Sequence, residues 1–324
     1  MKKVISILMV VCLIFSFAAC KTKINLKEVS CNIYGIAGPT GVGLANLMQK
    51  AESKDGALNY NIALAANNDE IVAKIKNGEA DIAAVATNLA STLYNATKGG
   101  VQVLAVNTLG VLNIVAKGYE IDSIDDLKGL TIYSTGQGAN PEYIISNIIE
   151  NNGLTVGKDV KIEFVNQPQE LVVKMKQNEK AVVVAPQPVA TNITANVEGA
   201  KIVININDEW NKLHAEALTM GCIIVRKEYA DANPEAVKAF LKEYKESIEK
   251  ANSDIEGTAA LCEKYKIIAP AAVAKKAIPL CNIVYQDGKT MKANLSAYLD
   301  FLFRENAKSI GFNLPADDFY YGVS

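Results

Sequence analysis

Two glycine-rich turns carry the most specific chemistry in this chain: Gly38-Pro-Thr-Gly-Val-Gly43 and Thr135-Gly-Gln-Gly-Ala-Asn140. Each stands between a strand-like run and a helix-like run, a geometry in which free backbone N–H groups at a helix start can cradle an anion. The same pattern also serves as a tight turn with no ligand. Neither turn fits G-x-G-x-x-G with an acid for a ribose, so a dinucleotide site is not indicated. Three more loops follow strand-like runs: Ala86-Thr-Asn88, Val106-Asn-Thr-Leu-Gly110 and Ala185-Pro-Gln-Pro188. The polar residues of all five are Thr, Asn and Gln, and none holds Lys, Arg, Asp or Glu. That leaves no group for general acid–base work, and no carboxylate or aromatic cage to offset the lost hydration of a cation. The chemistry these loops suit is hydrogen bonding to a small ligand, neutral or singly anionic, with helix N-termini supplying partial positive charge.

Other reactive residues are sparse. His214 is the only histidine, so a His-rich metal site or a Ser–His relay has no parts list, and His214 beside Trp210 reads as a lobe-edge residue. The acid pairs Asp125/Asp126 and Asp317/Asp318 read as solvated or capping groups. Six cysteines are present, with no C-x-x-C pair. Cys31 and Cys222 lie in apolar strand-like runs and read as buried thiols; a bond between Cys262 and Cys281 stays open, as in any exported chain.

The elements that must position the loops alternate strand and helix. A length of 324 residues with half of them hydrophobic suits two lobes. A net charge of −2, with no Lys/Arg run longer than two residues, gives no sign of a nucleic-acid partner. Ser30–Ala37 reads as a strand, the first turn opens a helix, Asn59–Ala66 is a strand, a helix runs from about Asp69 to Lys76 with Asn68 as its cap, and Asp81–Ala86 is a buried parallel strand. The order returns from about Leu127, with helices over 143–150 and 170–176 and a strand over 181–186. At an offset of one hundred residues, Glu70/Glu170, Val72/Val172, Lys74/Lys174, Lys76/Lys176, Glu79/Glu179 and Ala90/Ala190 coincide. This predicts two similarly built α/β lobes, each a mostly parallel sheet flanked by helices. Gly110–Lys117 leads out of the first lobe and Leu218–Lys227 leads back, giving two hinge crossings near Gly110 and Gly221. Lobe 1 is expected over 30–110 plus 219–324 and lobe 2 over 111–218. Asn233 and Pro234 then start a long amphipathic helix.

Residues 1–19 read as a signal peptide: Lys2 and Lys3 precede an uncharged apolar run that is too short to span a membrane. The ending Phe17-Ala-Ala-Cys20 resembles the lipobox of bacterial lipoproteins, with Phe17 where Leu is usual. That implies a lipid chain on Cys20, a tether over 20–29, and a lipid-anchored protein on the extracytoplasmic face of the cell membrane.

Four stretches together resemble one family. Asn77-Gly-Glu-Ala-Asp-Ile-Ala83 is similar to its "GEADIA" segment, Ile121–Tyr133 to its "DLKGK" entry to the second lobe, Asn233–Tyr244 to its post-hinge helix, and Ala185-Pro-Gln-Pro-Val-Ala190 to its "E-P-x-A" loop. The family is the solute-binding proteins of ABC importers, in the nitrate, sulfonate, taurine and thiamine-precursor branch. Gln187 stands where many relatives have Glu. The resemblance implies the type II periplasmic-binding-protein fold, a monomer that closes on a small-molecule ligand and presents it to a permease with its ATPase, and no cofactor, metal or catalysis. The expected ligand contacts are Gly38, Thr40, Gly41 and Val42; Thr87 and Asn88; Asn107 and Thr108; Thr135, Gly136, Gln137 and Gly138; and Pro186 and Gln187. An enzyme on the same fold, of the pyrimidine-precursor synthase type, and a ligand-sensing lipoprotein are the alternatives.

Overall fold

The computed structural model describes residues 25–323; the signal segment and Cys20 lie outside them. The strands are β1 (Ser30–Ile36), β2 (Asn59–Ala65), β3 (Ile82–Ala86), β4 (Val101–Thr108), β5 (Leu112–Lys117), β6 (Thr131–Ser134), β7 (Lys161–Phe164), β8 (Ala181–Pro186), β9 (Ala200–Asn205), β10 (Gly221–Arg226) and β11 (Ile283–Gln286). They form two sheets, ordered β11-β4-β10-β3-β1-β2 and β7-β6-β8-β5-β9.

Helices cover both sheets. The first part of the chain supplies α1 (Pro39–Val42), α2 (Ala45–Glu52), α3 (Asn68–Lys76) and α4 (Thr87–Ala96). The middle supplies α5 (Asn140–Asn151), α6 (Pro168–Gln177), α7 (Val189–Asn196) and α8 (Ile206–Leu213). The last part supplies α9 (Lys227–Ala232), α10 (Pro234–Ser253), α11 (Ile255–Lys264), α12 (Ala271–Ala277) and α13 (Gly288–Asn306).

The hundred-residue offset appears as matched geometry. In the first sheet Ile33 of β1 sits opposite Ile82 of β3; in the second Ile132 of β6 sits opposite Val182 of β8. α3 and α6 precede these two strands, and each buries one narrow stripe, Ile71/Ile75 and Leu171/Met175. Every fully buried Ile or Leu of this kind contributes about 1.5–3 kcal/mol.

Two local expectations are corrected. α3 is capped by Asn67, whose side chain accepts from Glu70 N at 3.0 Å, one residue before Asn68. Asp81–Ala86, expected as a buried parallel strand, is buried and parallel to β1 but antiparallel to its other neighbour, β10. A continuous apolar run reports burial on both faces and carries no information on the direction of the neighbouring strands. β8 is likewise parallel to β6 and antiparallel to β5.

The reversed strand that is inserted between two others in each sheet follows a crossing, while β11, at the far edge of the first sheet, is also antiparallel to its neighbour β4. β5 comes directly after β4, and β10 returns after α8; each is inserted centrally and runs against both neighbours. An ion pair fixes β10 in place: Arg226 meets Asp81 at 3.0 Å, and Asp81, nearly buried, also accepts from Asn32 N and Nδ2.

The largest hydrophobic cluster is shared by the two sheets, joining Val103 and Val106 to Ile114, Ile144 and Val184. Away from the crossings, α12 packs on α7 and α13 packs on α5. Trp210 of α8 meets Phe301 of α13 edge-on, with ring centroids 5.0 Å apart.

Candidate functional site

The expected ligand loops all sit at C-terminal strand ends, where open α/β sheets hold ligands. What the side chains do there differs from loop to loop. At the first turn Gly38 has φ +111°, and its N–H donates to the Ile267 carbonyl at 2.8 Å. Gly41 lies so close to β1 that a Cβ would stand 2.5 Å from the Ile36 carbonyl oxygen. Val42 is fully buried in the core. Thr40 is half-buried, and its carbonyl accepts from Asn107 Nδ2 at 3.3 Å.

Asn107 and Thr108 serve as fasteners. The Asn107 amide also donates to the Tyr244 hydroxyl at 2.8 Å, while its oxygen accepts from Thr108 Oγ1 at 2.9 Å. Both residues are about 1% exposed. Burial pushes the Tyr244 hydroxyl pKa up, so it stays protonated. Thr87, also buried, donates from Oγ1 to the Thr219 carbonyl at 2.8 Å, and its N–H donates to Met220 O. Asn88 reaches Ser309 O, at 3.5 Å, on the turn after α13.

At the end of β6, Ser134 Oγ donates to the Thr135 carbonyl. Gly136 and Gly138 adopt φ of +79° and +68°, which only glycine tolerates cheaply, and Gln137 and Gly138 are exposed. Gly138 N donates to Glu142 Oε2 at 2.5 Å. The Gly138 carbonyl accepts from the Tyr143 hydroxyl at 2.6 Å, and that hydroxyl accepts from Asn306 Nδ2 at 2.9 Å. This chain crosses from α5 to the end of α13.

Pro186 ends β8 half-buried. Gln187 is 2% exposed. Its N–H donates to Val111 O at 2.9 Å and its Oε1 accepts from Thr191 Oγ1 at 2.7 Å. Among the described residues, Gln187 Nε2 has no hydrogen-bond partner, and neither do the buried Asn113 Oδ1 and Thr219 Oγ1. Asn113 follows the first crossing and Thr219 precedes the return strand. The crossing itself is clamped: Gly110 N donates to Asn207 Oδ1 at 3.1 Å, and Asn282 Nδ2 donates to Gly110 O at 2.5 Å.

The structure therefore links Thr40, Asn107 and Thr108 in one network, and brings Asn88 and the Gly136–Gly138 turn to the same segment after α13. Gln187 lies beside the first crossing, bonded to neither group. Sequence reasoning missed Tyr244, Asn207, Asn282, Asn113, Thr219, Glu142, Tyr143 and Asn306. Only Glu142, an acid in a helix's first turn, carried a local signal. His214 stacks on Trp210 at 3.9 Å, its Nε2 lies 2.9 Å from Asn147 Oδ1, and burial lowers its pKa. The described cysteines, Cys31, Cys222, Cys262 and Cys281, are all free and buried, and burial pushes the Cys31 and Cys262 thiols up to about 12.

A family model described as "ABC transporter, phosphonate, periplasmic substrate-binding protein" matches residues 45–273. The chain belongs to this family. Solved structures share the fold of this binding protein. An ABC transporter from Parabacteroides distasonis is 17% identical, with a TM-score of 0.77 over 90% of this chain and 99% of that one. The periplasmic aliphatic sulphonate binding protein SsuA from Escherichia coli is 16% identical, with a TM-score of 0.68 over 89% and 92%. The alkanesulfonate-binding protein SsuA from Xanthomonas axonopodis pv. citri, bound to MOPS, is 14% identical, with a TM-score of 0.61 over 90% and 96%. No curated protein matches the chain in sequence. The family and the shared fold bear out the expected solute-binding architecture and its sulfonate-branch relatives.

Proposed function

We propose that this binding protein captures a small organic oxyanion of the sulfonate or phosphonate kind between its two lobes and hands it, unreacted, to a permease with its ATPase. The observation that carries the reading is Gln187: a buried amide N–H without a partner, at the end of β8 and one strand from the crossing. Leaving such a donor unpaired costs about 1–3 kcal/mol, and a ligand oxygen would remove that cost.

Around Gln187 we place Thr40, the Thr135–Gly138 turn and Pro186 as ligand neighbours, with Gly38, Gly41, Val42, Thr87, Asn88, Asn107 and Thr108 holding the loops in position. The lobes, 30–110 with 219–324 and 111–218, close about Gly110 and Gly221 as rigid bodies. Capture without bond-breaking is supported by the five loops, which hold no acid or base, and by thiols too deeply buried to ionise. The protein works as a monomer anchored through lipid on Cys20, at the extracytoplasmic face.

A thermal-shift panel of alkanesulfonates, alkylphosphonates, nitrate, pyrimidines and vitamins tests the reading. A ligand present at one hundred times its Kd adds about 2.7 kcal/mol to the folded state. At least one oxyanion should raise the melting temperature; a rise with only neutral heterocycles would overturn the oxyanion class.

A further inference from the structure

α5 begins at the turn that follows β6, and its first turn already holds an anion. Glu142 extends back along its own helix and accepts from Gly138 N at 2.5 Å. The same turn faces the other lobe, because the Gly138 carbonyl is tied through the Tyr143 hydroxyl to Asn306 at the end of α13. β6 and β8 run side by side with Tyr133 opposite Val183. The turn and the unpartnered, buried Gln187 Nε2 therefore lie at the same sheet edge. A solute that meets Gln187 and this turn sits close to the Glu142 carboxylate, because Glu142 Oε2 lies 2.5 Å from Gly138 N.

We propose that Glu142 is a specificity-determining residue, an internal anion that restricts the site to solutes carrying no more than one negative charge and disfavours doubly charged phosphonates. The inference rests on the capture reading above. A helix N-terminus carries about half a positive charge, and a full carboxylate on it more than cancels that. A singly charged sulfonate is repelled once and still gains the amide donors. A dianion is repelled twice for the same donors. The family is described by a phosphonate, and a Glu142 that disfavours dianions sets this chain's preference apart from that description.

Binding of methanesulfonate and of methylphosphonate is measured by calorimetry at about pH 8.5, where the phosphonate holds its second charge as phosphoryl groups do above about pH 6. The proteins are the parent, Glu142→Gln and Glu142→Asp. Glu142→Gln keeps an oxygen for Gly138 N and removes the charge; Glu142→Asp keeps the charge on a shorter arm. The parent should prefer methanesulfonate, Glu142→Gln should narrow that preference by about tenfold or more, and Glu142→Asp should keep it within about threefold. A residue that only caps the helix would shift the melting temperature and both affinities together, so an unchanged preference in Glu142→Gln overturns the inference and leaves the capture reading standing. Failure of both probes to bind parent and variants overturns the capture reading and the inference with it.

Discussion

Gly110→Ala tests the proposed hinge at the first crossing. A Cβ at Gly110 would stand 2.7 Å from Asn207 Oδ1, 2.8 Å from Asn207 Cβ and 2.9 Å from Leu218 Cδ2. Ordinary carbon contacts begin near 3.5 Å, so Asn207 must retreat by roughly 0.5–1 Å. Its 3.1 Å bond from Gly110 N breaks as it does so. Overpacking of this kind costs about 1–3 kcal/mol and the lost bond about 1 kcal/mol, offset by about 0.4–1 kcal/mol from the stiffer unfolded chain. The net expectation is a loss of about 1–3 kcal/mol, seen as a lower urea midpoint at unchanged slope. Because two of the three close atoms belong to Asn207, the cost must depend on that residue. In an Asn207→Ala background, which removes Oδ1, the Gly110→Ala penalty should shrink by about 0.5 kcal/mol or more, a coupling well within the range seen for touching residues. Additive effects, or a Gly110→Ala loss under about 0.5 kcal/mol, would refute the argument that Asn207 fixes the crossing.

Gln187→Glu replaces the unpaired donor with a carboxylate oxygen and should weaken an anionic ligand by more than about tenfold; calorimetry showing tighter binding sinks the oxyanion reading. Cys20→Ala should move the protein out of the membrane fraction, since lipid chains supply the anchoring energy and no helix among the described residues is long and apolar enough to cross a membrane; unchanged lipid labelling refutes it. Burial pushes Glu243 upward, but donation from Ala57 N, Tyr60 and Lys50 outweighs it and holds the carboxyl below its usual range. A depressed folded pKa stabilises above the unfolded value of about 4.3 and loses that stabilisation as pH falls through the folded one. Urea midpoints should therefore decline less steeply below about pH 5 in Glu243→Gln than in the parent; parallel curves would show that Glu243 contributes nothing.

Much of the scaffold was readable because its signals are local. α3 and α6 announce themselves by apolar spacing, by first-turn acids and by last-turn lysines. Asn67 was passed over for Asn68 because either asparagine can cap, and only the backbone angles decide. The directions of β5 and β10 could not be read, since reversal depends on which lobe a strand enters and leaves no mark on its composition. At the site, the loops are legible but the partners that hold them are not. Asn107 is expected as a ligand contact, and its hydrogen-bond partner Tyr244 is 137 residues away. Gly110 is gripped by Asn207 and Asn282, which are 97 and 172 residues off. Pairings at that range leave no periodicity in one chain.

The central position of β10 has a consequence for how the molecule is made. β3 and β4 belong to one sheet but are separated by β10, and the whole run from β5 to β9 lies between them and β10 in the chain. A chain that emerges N-terminus first completes β1 to β4 early and then holds two open edges until the last third arrives. Such late, non-local pairing is slow, and bare edges invite pairing with other chains. Truncation after β9 should therefore yield an aggregating fragment instead of a working half.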